Sequence, residues 1–189
     1  MVTTGWRHYG VAKSHNGGNV TEMAYYGACT AVSALVFLVA GLWYVLPRLS
    51  RMPLASALVP LLLVSAFRVN GLFFLVPGVA SPDLAAGFAV PTAYGDATAA
   101  FLALVAAVAL RRGSRAGIAL VWLYNIVGSL DLVNAIVQVA IHDVRPADFG
   151  ATWMLPVINV PALVVVHLLI FRLLTANRAP ASASVGEGP

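Results

Sequence analysis

Charge is what this sequence lacks. Asp, Glu, Lys and Arg together make up 10% of its 189 residues, where a soluble domain carries about 25%. Hydrophobic residues make up 60%. That balance cannot cover a water-facing surface and belongs to a membrane protein. Cysteine is nearly absent as well. Cys29 stands alone, which excludes an intramolecular disulfide and a CxxC metal site, and reads as a small packing residue. Lys13 is the only lysine and lies in the N-terminal tail, so no span can form a retinal-type Schiff base. The chain has no Walker loop, no GxGxxG, no convincing internal repeat and no helix–strand alternation. Its net charge of +4 does not point to nucleic acid, because the basic residues sit between apolar runs, where they act as topology signals.

What is present is a series of long apolar runs. They predict an all-α integral membrane bundle of five transmembrane helices: Met23 to Leu46, Leu54 to Pro77, Pro91 to Leu110, Ala116 to His142 and Ala151 to Leu174. The expected organisation is a polar tail over residues 1–20, a transmembrane domain over 21–175 and a disordered tail over 176–189. No apolar core begins near Met1, so no cleavable signal peptide is expected. Tyr25, Tyr26, Trp43 and Tyr44 mark the two ends of the first span as interfacial belts. Basic residues are biased to one side. Arg48, Arg51, Arg111, Arg112, Arg115, Arg172 and Arg178 face Arg7, Lys13 and Arg145. The positive-inside rule then places the N-terminus outside and the C-terminus in the cytoplasm.

The fourth span organises the reading, because it carries Asn125, Asp131, Asn134 and Gln138 inside its apolar run. A carboxylate at membrane depth costs about 2.5–3.5 kcal/mol on insertion scales and requires a partner. Tyr124, Gly128, Asp131, Asn134, Gln138 and His142 share one side at helical spacing, with Asn125 off that stripe. The second span brings Arg68 and Asn70, the third Asp96 on a face of Ala99, Ala100, Ala103 and Ala107, and the fifth Asn159 between Pro156 and Pro161. At about 1.5 Å of rise per residue, Arg68 and Asp131 lie about 15 Å below the outer surface. Asn70, Asn134 and Asn159 come out near about 12 Å, and Asp96 nearer about 8 Å. The expectation is a buried polar cluster in which Arg68 pairs with Asp131 or with Asp96 and amides fill the remaining lone pairs. Asn125 and His167 match at about 25 Å and predict a second, inner polar contact.

Other chemistry fits less well. A bis-histidine haem needs two imidazoles at one depth, and His142 and His167 are mismatched. Ser65 and Ser129 have no histidine at their depth to act as base. His142, Asp143 and Asp148 crowd one short loop and make a weak metal set, and His8 and His15 read as solvated. No catalytic residue, metal or cofactor is assigned.

The runs PTAYGDATAAFLALVAAVALR, VWLYNIVGSLDLVNA and WMLPVINVPALVVVHLLIFRLL resemble small bacterial polytopic membrane proteins of an uncharacterised family. The resemblance implies an inner-membrane protein and brings no activity, cofactor or site residue. The sequence therefore leads to a pocket built from Arg68, Asp96, Asp131, Asn134 and Asn159 that binds or moves a small polar ligand, a proton or a lipid headgroup, with Arg68 as anion anchor. A structural or accessory subunit, in which the same cluster only fixes helix packing, is the rival. A lipid-modifying membrane enzyme is the third reading. Membrane lipid is the expected partner, with self-association or a partner membrane subunit as further expectations.

Overall fold

The computed structural model describes residues 18–176. The expectations for most of the two tails, including His8, His15 and Arg178, lie outside the described residues. Five helices are long and apolar enough to cross a bilayer: α1 (Val20–Leu49), α2 (Leu54–Leu75), α3 (Ala86–Arg111), α4 (Gly117–Ile141) and α5 (Leu155–Ala176). Among the described residues there is no strand, only an isolated bridge between Pro77 and Ala80.

Helix α3 is the centre of the bundle and packs on α2 and α4, while α5 packs on α1, α2 and α4. Alanines make this possible. Ala99, Ala103 and Ala106 are fully buried, and small side chains let helix axes approach closely. Helix α1 is the outlier, seated on α5 and the segment before it and otherwise open. Cys29 is exposed on α1, so it is not the packing residue its size suggested.

The core divides in two. One apolar cluster holds Leu58, Leu62, Ala103, Val121, Tyr124 and Ile170. The other, at the end carrying the α2–α3 and α4–α5 connections, is aromatic: Phe74, Phe88 and Phe149 meet with ring centroids 5.5–6.1 Å apart. Tyr26 of α1 stacks on Phe149 at 6.2 Å. A 3₁₀ segment, Pro146–Trp153, closes this end. Its Ala151 N–H donates to the Val79 carbonyl at 2.9 Å. Gly150, at φ 56°, makes that approach possible, because a Cβ there would lie 2.8 Å from the Ser81 nitrogen.

Two local departures from regular helix decide where the polar residues go. Helix α2 carries Pro60 and changes from α to 3₁₀ geometry over Ala66–Leu75. Runs of 3₁₀ helix this long are uncommon, and residues three apart eclipse. Ser65, Arg68, Gly71 and Phe74 therefore form one buried ridge. Helix α3 begins at Ala86, before Pro91 rather than at it. Asp96 thus stands ten residues, about 15 Å, from the start of its helix, where counting from Pro91 gave about 8 Å. Arg68, seven residues from Leu75 at about 2.0 Å each, and Asp131, ten residues from Ile141, reach the same level.

Candidate functional site

Arg68 lies between the two halves of the core, 2% exposed, with carboxylates from two helices and hydrogen-bond partners on three. Its Nε donates to Asp96 Oδ1 at 2.8 Å and its Nη2 to Asp131 Oδ2 at 2.5 Å. The sequence left open which aspartate pairs with Arg68, and the guanidinium bridges both. Its Nη1 donates to the Gly128 carbonyl at 2.9 Å and faces His167 Nε2 at 3.2 Å. That carbonyl is available only because residue 128 has no side chain: a Cβ there would stand 2.7 Å from the His167 ring.

The hydrogen bonds settle the state of His167. Asn125 Nδ2 donates to the His167 carbonyl at 3.3 Å, which orients the amide. Asn125 Oδ1 then accepts from His167 Nδ1 at 2.7 Å, so that nitrogen carries the proton. Nε2 is left as a lone pair toward Arg68, with the Tyr124 hydroxyl at 3.4 Å and the Tyr124 ring stacked 5.2 Å from the imidazole. Asn125 and His167 are thus a second layer behind Arg68 rather than a separate contact.

Four of the five guanidinium N–H groups now have protein acceptors: one from Nε, two from Nη1 and one from Nη2. The carboxylates are less fully used. Asp96 spends Oδ1 on Arg68, while Oδ2 lies against Gly71. With His167 neutral, the cluster carries one positive and two negative formal charges.

A cavity of about 290 Å³ adjoins this cluster on the aromatic side. Its floor is Arg68, Gly71 and Asp96, and its walls include Phe74, Phe88, Leu132, Ala135 and Leu163. Further polar residues line it, among them Asn159 and Thr92. Asn159 is half-buried. Thr92 is 4% exposed, and its buried Oγ1 has no hydrogen-bond partner among the described residues. Ile136 also lines the cavity while 61% exposed, and Tyr26 and Thr30 of α1 face it from the other flank. The cavity is therefore reached from the side of the bundle, between α1 and α4.

Of the residues named from sequence, Arg68, Asp96 and Asp131 meet directly, and Asn159 shares the cavity with Arg68 and Asp96. Asn134 does not join them. It is exposed on the outer side of α4, because Gly117, Val121, Gly128 and Leu132 turn the buried face toward Asn125. The stripe drawn through Asn134 and His142 was displaced from the buried face. Thr92 was missed, although it precedes Asp96 by one helical turn and shares its face. The Gly128 carbonyl was missed because backbone acceptors leave no trace in side-chain chemistry. Among the described residues no three His, Cys, Asp or Glu side chains group as metal ligands. Asp148 instead accepts from the Arg145 N–H at 2.8 Å.

The close fit of α2 on α3 yields a prediction. A Cβ at Gly71 would stand 2.7 Å from the Asp96 Cβ, so the helices themselves must part. Gly71→Ala is expected to destabilise the bundle by about 1–3 kcal/mol, as overpacking does, read by unfolding in mixed micelles. An unchanged midpoint would contradict this packing.

No curated protein and no solved structure matches this chain. A family model does, over residues 26–175, and that stretch takes in nearly all of the five helices and the whole Arg68 cluster. The chain belongs to this family, which is described as a domain of unknown function, DUF8737.

Proposed function

We propose that this chain is a multi-pass protein of the bacterial inner membrane, N-terminus outside and C-terminus cytoplasmic, that binds an amphipathic molecule drawn from the surrounding lipid. The observation that carries this reading is the shape of the cavity: apolar walls, a polar floor at Arg68 and Asp96, and an approach between α1 and α4. A purely polar solute would gain little from such walls, whereas an apolar chain buried there gains about 25 cal/mol for each Å² removed from water. In lipid the comparable gain comes from packing and from the polar head, which selects one molecule over bulk lipid. At about 290 Å³ the space is at the small end of ligand sites and suits a single chain with a compact head rather than a whole phospholipid.

A second reading has an observation of its own. Arg68 is so fully engaged by Asp96, Asp131, Gly128 and His167 that the cluster also serves as a clamp, tying α2, α3, α4 and α5 at one level. A clamp accounts for the ion pairs but not for the cavity beside them.

Native mass spectrometry of the protein extracted from its membrane tests the binding reading. The wild type is expected to retain a lipid-sized adduct. Ala135→Trp, which fills the cavity from α4, is expected to lose it while keeping its helical circular dichroism. An adduct-free wild type, or the same adduct on Ala135→Trp, would leave only the clamp.

A further inference from the structure

Resting on the binding reading above, we infer that the head group this cavity takes is a hydrogen-bond-donating cation, a protonated amine at the end of a single apolar chain, and not the anion that an arginine in a pocket suggests. Three independent features of the site converge on it.

The first is saturation. An anion binds arginine through the guanidinium fork, but here Nε and Nη2 are each committed to a carboxylate and Nη1 to a carbonyl and an imidazole. One N–H remains, and a single N–H flanked by two carboxylates repels an anion more than it attracts one.

The second is charge. One cation and two carboxylates in a bundle of low dielectric leave an excess negative charge, and an uncompensated charge away from water is costly. An ammonium head at Asp96 brings the cluster to zero. Asp96 is the carboxylate that borders the cavity, and its Oδ2 is the oxygen not engaged by Arg68.

The third is Thr92. Its Oγ1 is a buried oxygen without a partner among the described residues, one turn before Asp96 and in the wall of the same cavity. Buried polar atoms are almost always paired, so an orphan beside a cavity indicates a group that completes it. Asn159, whose amide carries a further acceptor oxygen, lines the same cavity. Carboxylate, hydroxyl and amide oxygens together match the three donors of a primary ammonium.

The test uses two probes with the same ten-carbon chain, decylamine and decanoate, added to the purified full-length protein in dodecyl maltoside, with thermal midpoint as readout. Decylamine is expected to raise the midpoint of the wild type and decanoate to leave it unchanged. Asp96→Asn is expected to abolish the decylamine shift. Thr92→Val keeps the volume, removes only the orphan oxygen, and is expected to weaken decylamine about 2–10-fold, the value of one hydrogen bond. If Asp96→Asn does not fold, Thr92→Val carries the test. Equal or larger stabilisation by decanoate overturns the inference and restores Arg68 as an anion anchor. An undiminished decylamine response in Thr92→Val or Asp96→Asn overturns it too. Failure of the cavity reading looks different: Ala135→Trp would then respond to decylamine like the wild type.

Discussion

Arg68→Gln is expected to lower stability by about 3–5 kcal/mol, the cost of breaking a buried ion pair by removing one partner. Arg68 is 2% exposed and the only cation among the residues it touches, so its loss leaves Asp96 and Asp131 without their shared counter-charge. The arrangement makes the partners unequal. Asp131→Asn removes the excess negative charge and leaves Arg68 held by Asp96, Gly128 and His167. It is expected to cost well under half as much as Arg68→Gln. The triple variant Arg68→Gln, Asp96→Asn, Asp131→Asn is expected to recover most of the Arg68→Gln loss, because no unpaired charge remains. Unfolding in detergent titrated with dodecyl sulfate measures all three. If Asp131→Asn proves as damaging as Arg68→Gln, the bridged triad is wrong and Asp96 does not hold the guanidinium alone.

His167→Leu carries the second large effect, about 2.5–6 kcal/mol. It removes an acceptor from a charged donor, worth about 1.5–3 kcal/mol, and leaves Asn125 Oδ1 buried without a partner, about 1–3 kcal/mol more. Tyr124 loses its stacking partner as well. Removing both members of a buried polar pair is far less costly than removing one. Asn125→Leu added to His167→Leu is therefore expected to be more stable than His167→Leu alone, with a coupling of about 1–3 kcal/mol in the double-mutant cycle. Additive losses would show that Asn125 and His167 act independently, against the 2.7 Å contact between them.

These two predictions divide what could be read along the chain from what could not. The five apolar runs, the alanine face of α3 and the presence of a buried Arg–Asp cluster all follow from one-dimensional facts. Length against bilayer thickness, small residues at helical spacing and the cost of isolated charge are local or additive. The depth argument reached Arg68 and Asp131 for the same reason, since rise per residue accumulates along a helix.

It misjudged Asp96 because Pro91 looked like a helix start, whereas proline is tolerated inside a membrane helix whose neighbours satisfy the freed carbonyl. Asn134 was assigned inward for a different reason. The stripe through Tyr124, Gly128, Asp131 and Asn134 lies partly to one side of the buried face of α4, which runs through Gly117, Val121, Asn125, Gly128 and Leu132 and leaves Asn134 exposed. Composition and periodicity thus determined by themselves that the chain is a bundle of apolar helices with charges to conceal. Only the tertiary structure decided that α2 tightens to 3₁₀ at Ala66, so that Ser65, Arg68, Gly71 and Phe74 align, and that a backbone carbonyl at Gly128 completes the arginine's shell. Nor could spacing reveal the cavity between α1 and α4, or the orphan hydroxyl of Thr92 within it. The physical reason is common to all of these. They depend on how closely two helix axes approach, and that distance is set by every side chain in the contact at once.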